Sequence, residues 1–296
     1  MESARQAGQS GAKSQSAMAF EFVSALAAEL TGGKIDLPSF PDVAMRVRRA
    51  LAEDKTTVEQ VVRIVGSEPA LAARLLKMSN SAALNRSGKT VTELRTAIAR
   101  MGYNMVRSAA ISFAMAQIRA GVGLKGLEKP LDELWRNSTA VAAFCYSLTK
   151  GYTKRNPDEA FLAGLLHGVG KLYILTKTPR FPELLGDPAS LAAITRDWHA
   201  NVAKAILENW EMGAELVQAV SEQDDIERSH EGSADLSDVL VVANMMAAYM
   251  DNPQDLLLNM SGVTGFGRMG LNESNCATIL EESRGEIEAL RQALGN

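Results

Sequence analysis

The sequence has few cysteines and no long apolar run, and each shortage excludes a class of protein. Its 296 residues include two cysteines, Cys145 and Cys276, which are too few for a disulfide framework or a cysteine-based zinc site. No stretch is apolar for the ~18 residues needed to span a bilayer. Residues 1–16 are polar and lack the apolar core of a signal peptide. We therefore expect a cytoplasmic protein with no membrane partner.

The chain also lacks an excess of positive charge. Lysine and arginine total 31 against 35 aspartates and glutamates, which gives a net charge of −4. General binding to nucleic acid depends on basic residues that neutralise phosphates, so we expect no nucleic-acid partner. A hydrophobic content of 46% is enough for a substantial core.

Alternation of apolar and polar residues with a period of two is missing, and this argues against β-strands. Short segments with apolar residues at helical spacing follow one another instead, so we predict an all-α fold. Gly121, Gly123, Gly126 and Pro130 mark the best internal boundary. The predicted organisation is a disordered tail (1–18), an N-terminal helical bundle (19–125), a second helical bundle (126–250) and a C-terminal helical extension (251–296).

The first predicted helix lies between Ala19 and Leu30 and is amphipathic. Its apolar residues recur at helical spacing, and Thr31-Gly32-Gly33 ends it. The apolar face consists of Phe22, Val23, Leu26, Ala27 and Leu30. We interpret this helix as a lid or a packing arm for the rest of the chain.

The segment NPDEAFLAGLLHGVGKL, residues 156–172, predicts another helix. Asn156 can cap it, Pro157 suits its first turn, and the acidic residues that follow favour the positive end of the helix dipole. One side of this helix carries small residues, which let a neighbouring helix approach closely. His167 lies on that small side, so we expect it to point into a packed interior.

Three glycines near the C-terminus, Gly265, Gly267 and Gly270, match the string G-x-G-x-x-G. A dinucleotide site would also need a strand before the glycines and a βαβ unit around them. Neither pattern is present, so we interpret the segment as a glycine-rich loop before the last helix and expect no cofactor there.

Several stretches together resemble the HDOD family, a bacterial signalling relative of the HD metal-dependent phosphohydrolases. The resemblance covers roughly residues 35–250. The matching stretches are LPSFPDVAMRV, SEPALAARLLKMSNSA, AIARMGYNMVR, LWRNS, AFLAGLLHGVGKL and HANVAKAILENW. It implies two packed helical bundles, of which the second is HD-like.

The resemblance also implies where a metal site would lie. Active HD enzymes hold a divalent metal with a histidine, an adjacent His-Asp pair and a later aspartate. The corresponding positions here are Asn137, His167 with Gly168, and Asn244. Lys171 matches a lysine that approaches a phosphate in active relatives. We therefore predict degenerate HD positions with no catalytic residue, no bound metal and no cofactor.

The chain departs from the family pattern at one further pair of positions and keeps a family histidine without its companion ligands. Gln223 and Asp224 occupy places where relatives often carry a His-His pair. His199 matches a histidine common in the family, and without companion ligands we interpret it as structural. The third histidine, His230, lies in a polar loop.

These observations leave three hypotheses for function. The first is a non-catalytic signalling scaffold whose partners are proteins of a bacterial signalling pathway. The second is a nucleotide or second-messenger sensor that uses Lys171 and neighbouring groups to hold phosphate without catalysis. The third, a metal-dependent phosphodiesterase, needs ligands that the sequence does not offer.

Overall fold

The computed structural model describes residues 19–32, 42–51, 53, 55–81, 85, 88–121 and 126–294. All the regular structure in these ranges is helical and no strand occurs there, so the predicted all-α class is confirmed. The predicted disordered tail, 1–18, and part of the predicted internal boundary, 122–125, lie outside the described residues. None of the described helices is long and apolar enough to cross a membrane.

The described residues of the N-terminal part form five helices. Helix α5 is interrupted at Gly102, where φ is 73° and the chain leaves helical geometry. A residue with a side chain rarely adopts that conformation, so glycine suits the bend. The helices are α1 (19–31), α2 (Asp42–Leu51), α3 (Val58–Gly66), α4 (Pro69–Ser79) and α5 (Leu94–Gly121).

The second group forms the bundle that the resemblance predicts to be HD-like, around the long helix α6, which packs against α7 and α12. Its helices are α6 (Glu128–Tyr152), α7 (Pro157–Leu166), α8 (Val169–Lys177), α9 (Pro182–Leu185), α10 (Pro188–Asn209), α11 (Ala214–Ser221) and α12 (Leu236–Ala248). A 3-10 turn, Thr178–Arg180, joins α8 to α9.

The C-terminal part contains α13 (Pro253–Asn259), the 3-10 turn Met260–Gly262, α14 (Thr264–Arg268) and α15 (Glu273–Leu294). The expectation of a glycine-rich loop at 265–270 is wrong in part, because residues 264–268 form the short helix α14. Gly265 is buried there, and a Cβ at this position would lie 3.1 Å from Val242 of α12. The glycine therefore serves close packing between two helices.

Close packing of the HD-like bundle also depends on Gly170. A Cβ on this residue would lie 1.9 Å from the carbonyl oxygen of His199, so α8 and α10 approach at a distance that only glycine permits. The prediction that small residues would bring a neighbouring helix close to residues 156–172 is confirmed at this point.

The two bundles share one contiguous apolar core that runs from Phe22 to Ile287. Helix α5 packs on α7, and α15 packs on α4, α5 and α6. Arg48 of α2 adds a polar link, since its Nη1 donates to the carbonyl of Trp210 at 2.6 Å and its Nη2 lies 2.9 Å from the Glu211 carboxylate. These contacts place a cation at the C-terminal end of α10, where it is favoured by the helix dipole.

Candidate functional site

The segment around His167 is two helices rather than one. Asn156 caps α7 as predicted, because its Oδ1 accepts from the backbone N–H of Asp158 at 3.0 Å. The continuous helix that we expected is wrong, since α7 ends at Leu166 and α8 begins at Val169. Gly168 has φ −84° and ψ 1°. Glycines destabilise a helix interior, and this segment carries them at both 168 and 170.

His167 lies in this turn and is 1% exposed. Its Nδ1 lies 2.6 Å from the carbonyl oxygen of Gly164, which can only accept, so Nδ1 carries the proton. Its Nε2 then accepts from the amide nitrogen of Asn137 at 3.2 Å. Burial lowers the pKa of His167 to about 4, with a smaller effect of the Lys171 charge in the same direction. The ring is neutral at physiological pH, and both of its nitrogens are engaged.

Gln223 joins His167 to Asn244. The buried Gln223 side chain donates from Nε2 to the carbonyl of His167 at 3.0 Å and to that of Val220 at 2.8 Å. The Asn244 amide donates to the Gln223 carbonyl at 3.3 Å. Asn137, His167, Gln223 and Asn244 therefore form a continuous chain of hydrogen bonds with no formal charge, which we call the neutral network.

Gly168 lies beside this network and faces helix α6. A Cβ here would be 2.8 Å from Leu134 Cδ1 and 2.9 Å from Ser138 Oγ. The small gap of about 20 Å³ at this place is lined mainly by apolar side chains, including Leu134 and Leu165. A carboxylate at position 168 would have to enter a mainly apolar environment, in which the Ser138 hydroxyl and the Trp135 indole are the polar side-chain groups that line the gap.

Lys171, His199 and Asp224 form a separate group at the edge of the site. His199 is 2% exposed, and its Nε2 lies 2.8 Å from an exposed carboxylate oxygen of Asp224. Burial raises the pKa of Asp224, but the hydrogen bond from His199 and the charges of His199 and Lys171 outweigh that effect and lower it overall. Asp224 is therefore an anion beside the half-buried Lys171.

A third group was not anticipated from the sequence. Within the described residues, His230, Asp235 and Asp238 bring three ligand-type atoms together. Two guanidinium groups already occupy this cluster: Arg228 Nη2 donates to Asp235 at 2.8 Å, and Arg268 Nη1 donates to Asp238 at 3.1 Å. The available signal was the Asp-x-x-Asp spacing of Asp235 and Asp238 at the start of α12, which forms a capping box. This cluster is an ion-pair network that fixes the loop between α11 and α12.

The donors at the positions that the resemblance predicts as degenerate HD positions do not fit a catalytic divalent metal. Such metals are held by imidazole and carboxylate together, whereas Asn137 and Asn244 offer neutral amides and Gly168 offers no side chain. The Asn137 and Asn244 amide nitrogens also donate hydrogen bonds within the neutral network. Because these positions hold two amides, a neutral imidazole and a glycine, they carry no negative charge that could balance a cation.

The match to a known domain decides the family. The HDOD domain profile matches residues 37–226, which include every residue of the neutral network except Asn244. The chain belongs to the HDOD family. The resemblance that carried the sequence prediction is confirmed over this range.

Individual similarities to this HDOD protein are distant. An uncharacterised protein of Treponema pallidum is 23% identical over 243 residues, covering 76% of this chain and 45% of that protein. This chain therefore spans less than half the length of that relative.

Solved structures show the same fold. A Shewanella amazonensis protein named as a candidate metal-dependent phosphohydrolase matches with a TM-score of 0.78 at 24% identity, covering 94% of this chain and 99% of the other. A candidate signal transduction protein of Marinobacter aquaeolei matches with a TM-score of 0.61 at 19% identity, covering 88% and 60%. These likenesses establish two packed helical bundles with an HD-like second bundle.

Proposed function

We propose that this HDOD protein is a non-catalytic module of bacterial signal transduction that acts as a scaffold for protein partners. The neutral network carries the proposal, because His167 is bonded there to Asn137 and is linked to Asn244 through Gln223, while Gly168 offers no ligand. Both ring nitrogens of the buried His167 are already paired, so this histidine has little to gain from a new ligand.

The hydrogen bond between His167 Nε2 and Asn137 blocks the ring nitrogen that a metal would need. A metal could reach Nε2 only after the bond to Asn137 broke, and no carboxylate among the degenerate positions would compensate its charge. A divalent ion without anionic ligands would be unfavourable beside the buried His167 ring, since the exposed Asn137 and the half-buried Asn244 add only neutral amides. Metal-assisted attack of water on a phosphodiester is therefore not supported by these residues.

The signalling part rests on the family and on one neighbour. The chain belongs to the HDOD family, which the sequence resemblance linked to bacterial signalling, and the Marinobacter aquaeolei neighbour is named as a candidate signal transduction protein. A module without chemistry of its own transmits a signal by contact, so protein partners in a cytoplasmic pathway follow from the proposal.

Elemental analysis and a hydrolysis assay test the proposal directly. We expect the purified protein to carry well below one equivalent of Mn, Fe, Zn or Mg per chain, and to leave a chromogenic phosphodiester intact when these metals are added. The matched variant His167→Asn should behave in the same way. About one metal per chain, lost in the variant together with hydrolytic activity, would overturn the proposal.

A second candidate function is a nucleotide sensor that holds phosphate with Lys171. Its support is the position of this lysine, close enough to His167 and Asp224 to affect the pKa of both. The Asp224 anion beside it would repel a phosphate, which is why we rank this candidate second. Thermal shifts with cyclic dinucleotides and guanosine nucleotides, present in the parent and absent in Lys171→Ala, would favour the sensor over the scaffold.

A further inference from the structure

Helix α1 packs on a surface of the HD-like bundle formed by Tyr173, Lys177, Arg180 and Phe181, which we call the seat. Two apolar side chains of α1 are buried in this contact. Phe22 and Leu26 are 2% and 3% exposed. The Phe22 ring meets Phe181 edge to face, with ring centroids 5.1 Å apart. Phe20 on the same helix is 74% exposed, so burial is confined to one face. The sequence interpretation of this helix as a packing arm is consistent with these contacts.

A carboxylate fixes the other end of the helix. Glu29 Oε1 lies 3.1 Å from Lys177 Nζ, and the Tyr173 hydroxyl donates to the other oxygen of the same carboxylate. Lys177 is 8% exposed, and its Nζ lies 4.8 Å from the centre of the Tyr173 ring. A largely buried ammonium group favours an anion beside it, so this end of the seat selects an acidic residue.

The fit between α1 and its seat is incomplete. A groove of about 110 Å³ lies beside the exposed Ala25, between α1 and residues Lys177, Arg180 and Phe181. A methyl group is too small to fill this space. A helix with a larger apolar side chain at the position of Ala25 would make more contact with the same seat.

We propose that the seat formed by Tyr173, Lys177, Arg180 and Phe181 is a docking site for an acidic amphipathic helix of a protein partner. In the isolated chain α1 occupies it in cis. The partner helix would carry an aromatic residue at the position of Phe22 and a large apolar residue at that of Ala25. It would carry an aliphatic residue at the position of Leu26 and a carboxylate at that of Glu29. This pattern copies Phe22, Leu26 and Glu29 and improves on Ala25. The inference rests on the proposed function, since it names the surface through which the scaffold would act.

Displacement in trans is governed by competition with α1. Because α1 is tethered to the bundle, its effective concentration at the seat is high. A partner helix must therefore bind the seat with a higher intrinsic affinity than α1 does in order to replace it. Weakening α1 removes that competition and should raise the apparent affinity for an added helix. The seat can therefore be measured with a peptide, without knowing the natural partner.

The probe is a fluorescein-labelled peptide of residues 19–31 that contains the change Ala25→Leu, and its binding to the full chain is followed by anisotropy. We expect the double variant Phe22→Ala, Leu26→Ala to bind it at least ~10-fold more tightly than the parent. Phe20→Ala is the matched control on the same helix and should bind like the parent. A peptide that also carries Glu29→Lys should lose ~10-fold in affinity for the double variant.

Equal binding of the peptide to the parent and the double variant, or to the two peptide versions, would overturn the proposal. So would the absence of binding to a folded double variant. If the double variant unfolds, the full-chain change Ala25→Leu replaces it, with an expected rise in the unfolding midpoint and weaker peptide binding. An unchanged midpoint would count against the seat.

Three outcomes separate the docking proposal from its alternatives. A dimer that disappears in the double variant and persists in Phe20→Ala would assign the seat to a second copy of the chain and overturn the proposal. A failed peptide experiment leaves the scaffold function standing, because a partner could use another surface. Metal-dependent hydrolysis, in contrast, would overturn the scaffold and leave the peptide result intact.

Discussion

Replacing His167 with asparagine should make the stability of the protein less sensitive to acid. The pKa of His167 is lowered by burial from 6.5 to about 4. Because the folded state favours the neutral ring, its stabilising effect is fully present above the unfolded pKa near 6.5. The effect is lost as the pH falls towards the folded pKa. With ~1.4 kcal/mol for each pH unit, the loss reaches ~2 kcal/mol at about pH 5 and ~3 kcal/mol at about pH 4.

The variant would lack this acid-dependent loss. Its amide can still donate to the Gly164 carbonyl, but Asn137 loses the acceptor at Nε2, which should cost ~1–2 kcal/mol at all pH values. The parent should therefore be the more stable protein at neutral pH, and the difference should vanish or reverse near about pH 5.

Urea denaturation of the parent and the variant across this pH range, with and without a chelator, measures the difference. Contributions of other titrating groups cancel between the two proteins, so the comparison isolates His167. A difference that stays constant with pH would refute the reasoning, because it would mean that His167 titrates alike in both states. A difference that the chelator changes would point to a bound metal instead.

Three other results should follow from the same contacts. Gly168→Asp should lower the free energy of unfolding by several kcal/mol relative to Gly168→Asn, because its carboxylate would be buried against Leu134. It should also gain no metal-dependent phosphodiesterase activity. Urea denaturation checks the first point and an activity assay the second. Gly170→Ala should lose ~3 kcal/mol or more because its Cβ meets the backbone of α10, whereas Gly151→Ala, which has open space, should be neutral or slightly stabilising in the same denaturation experiment. The pKa of His230 is raised by hydrogen bonds to the Glu231 carbonyl and to Asp238. Its contribution to stability should therefore be fully present below about pH 6.5 and be lost as the pH rises through the raised pKa. Thermal melts of His230→Asn across this pH range should lack the change.

Local features of the fold could be predicted from the sequence because neighbouring residues determine them. Asn156 and Pro157 define the start of α7, and the spacing of Phe22 and Leu26 defines the buried face of α1. The all-α class follows from the same periodicity, and the family motifs supply the HD-like arrangement. The domain limits at 125 and 250 stay predictions, since the described core is contiguous across both.

The connections within the site could not be predicted, because they join residues that are distant in sequence. Gln223 appeared in the sequence only as a departure from a His-His pair, yet its side chain reaches the carbonyl of His167, 56 positions away. The pairing of Arg268 with Asp238 spans 30 positions and has no local signature. The break between α7 and α8 was also missed, since apolar periodicity continues through His167 and Gly168.

The neutral network and Gly168 are linked by electrostatics. In active HD enzymes a metal ion allows two buried aspartates and two histidine ligands to coexist, because the cation supplies the charge opposite to that of the carboxylates. Without that cation, an aspartate at position 168 would be a buried anion against Leu134 and Ser138, and a second one at position 244 would add repulsion. Amides at 137, 223 and 244 satisfy the same buried backbone and imidazole groups with no charge. On the scaffold proposal, the stability of the HD-like bundle then depends on this internal pairing, and restoring one ligand at a time should weaken the fold before it restores a site.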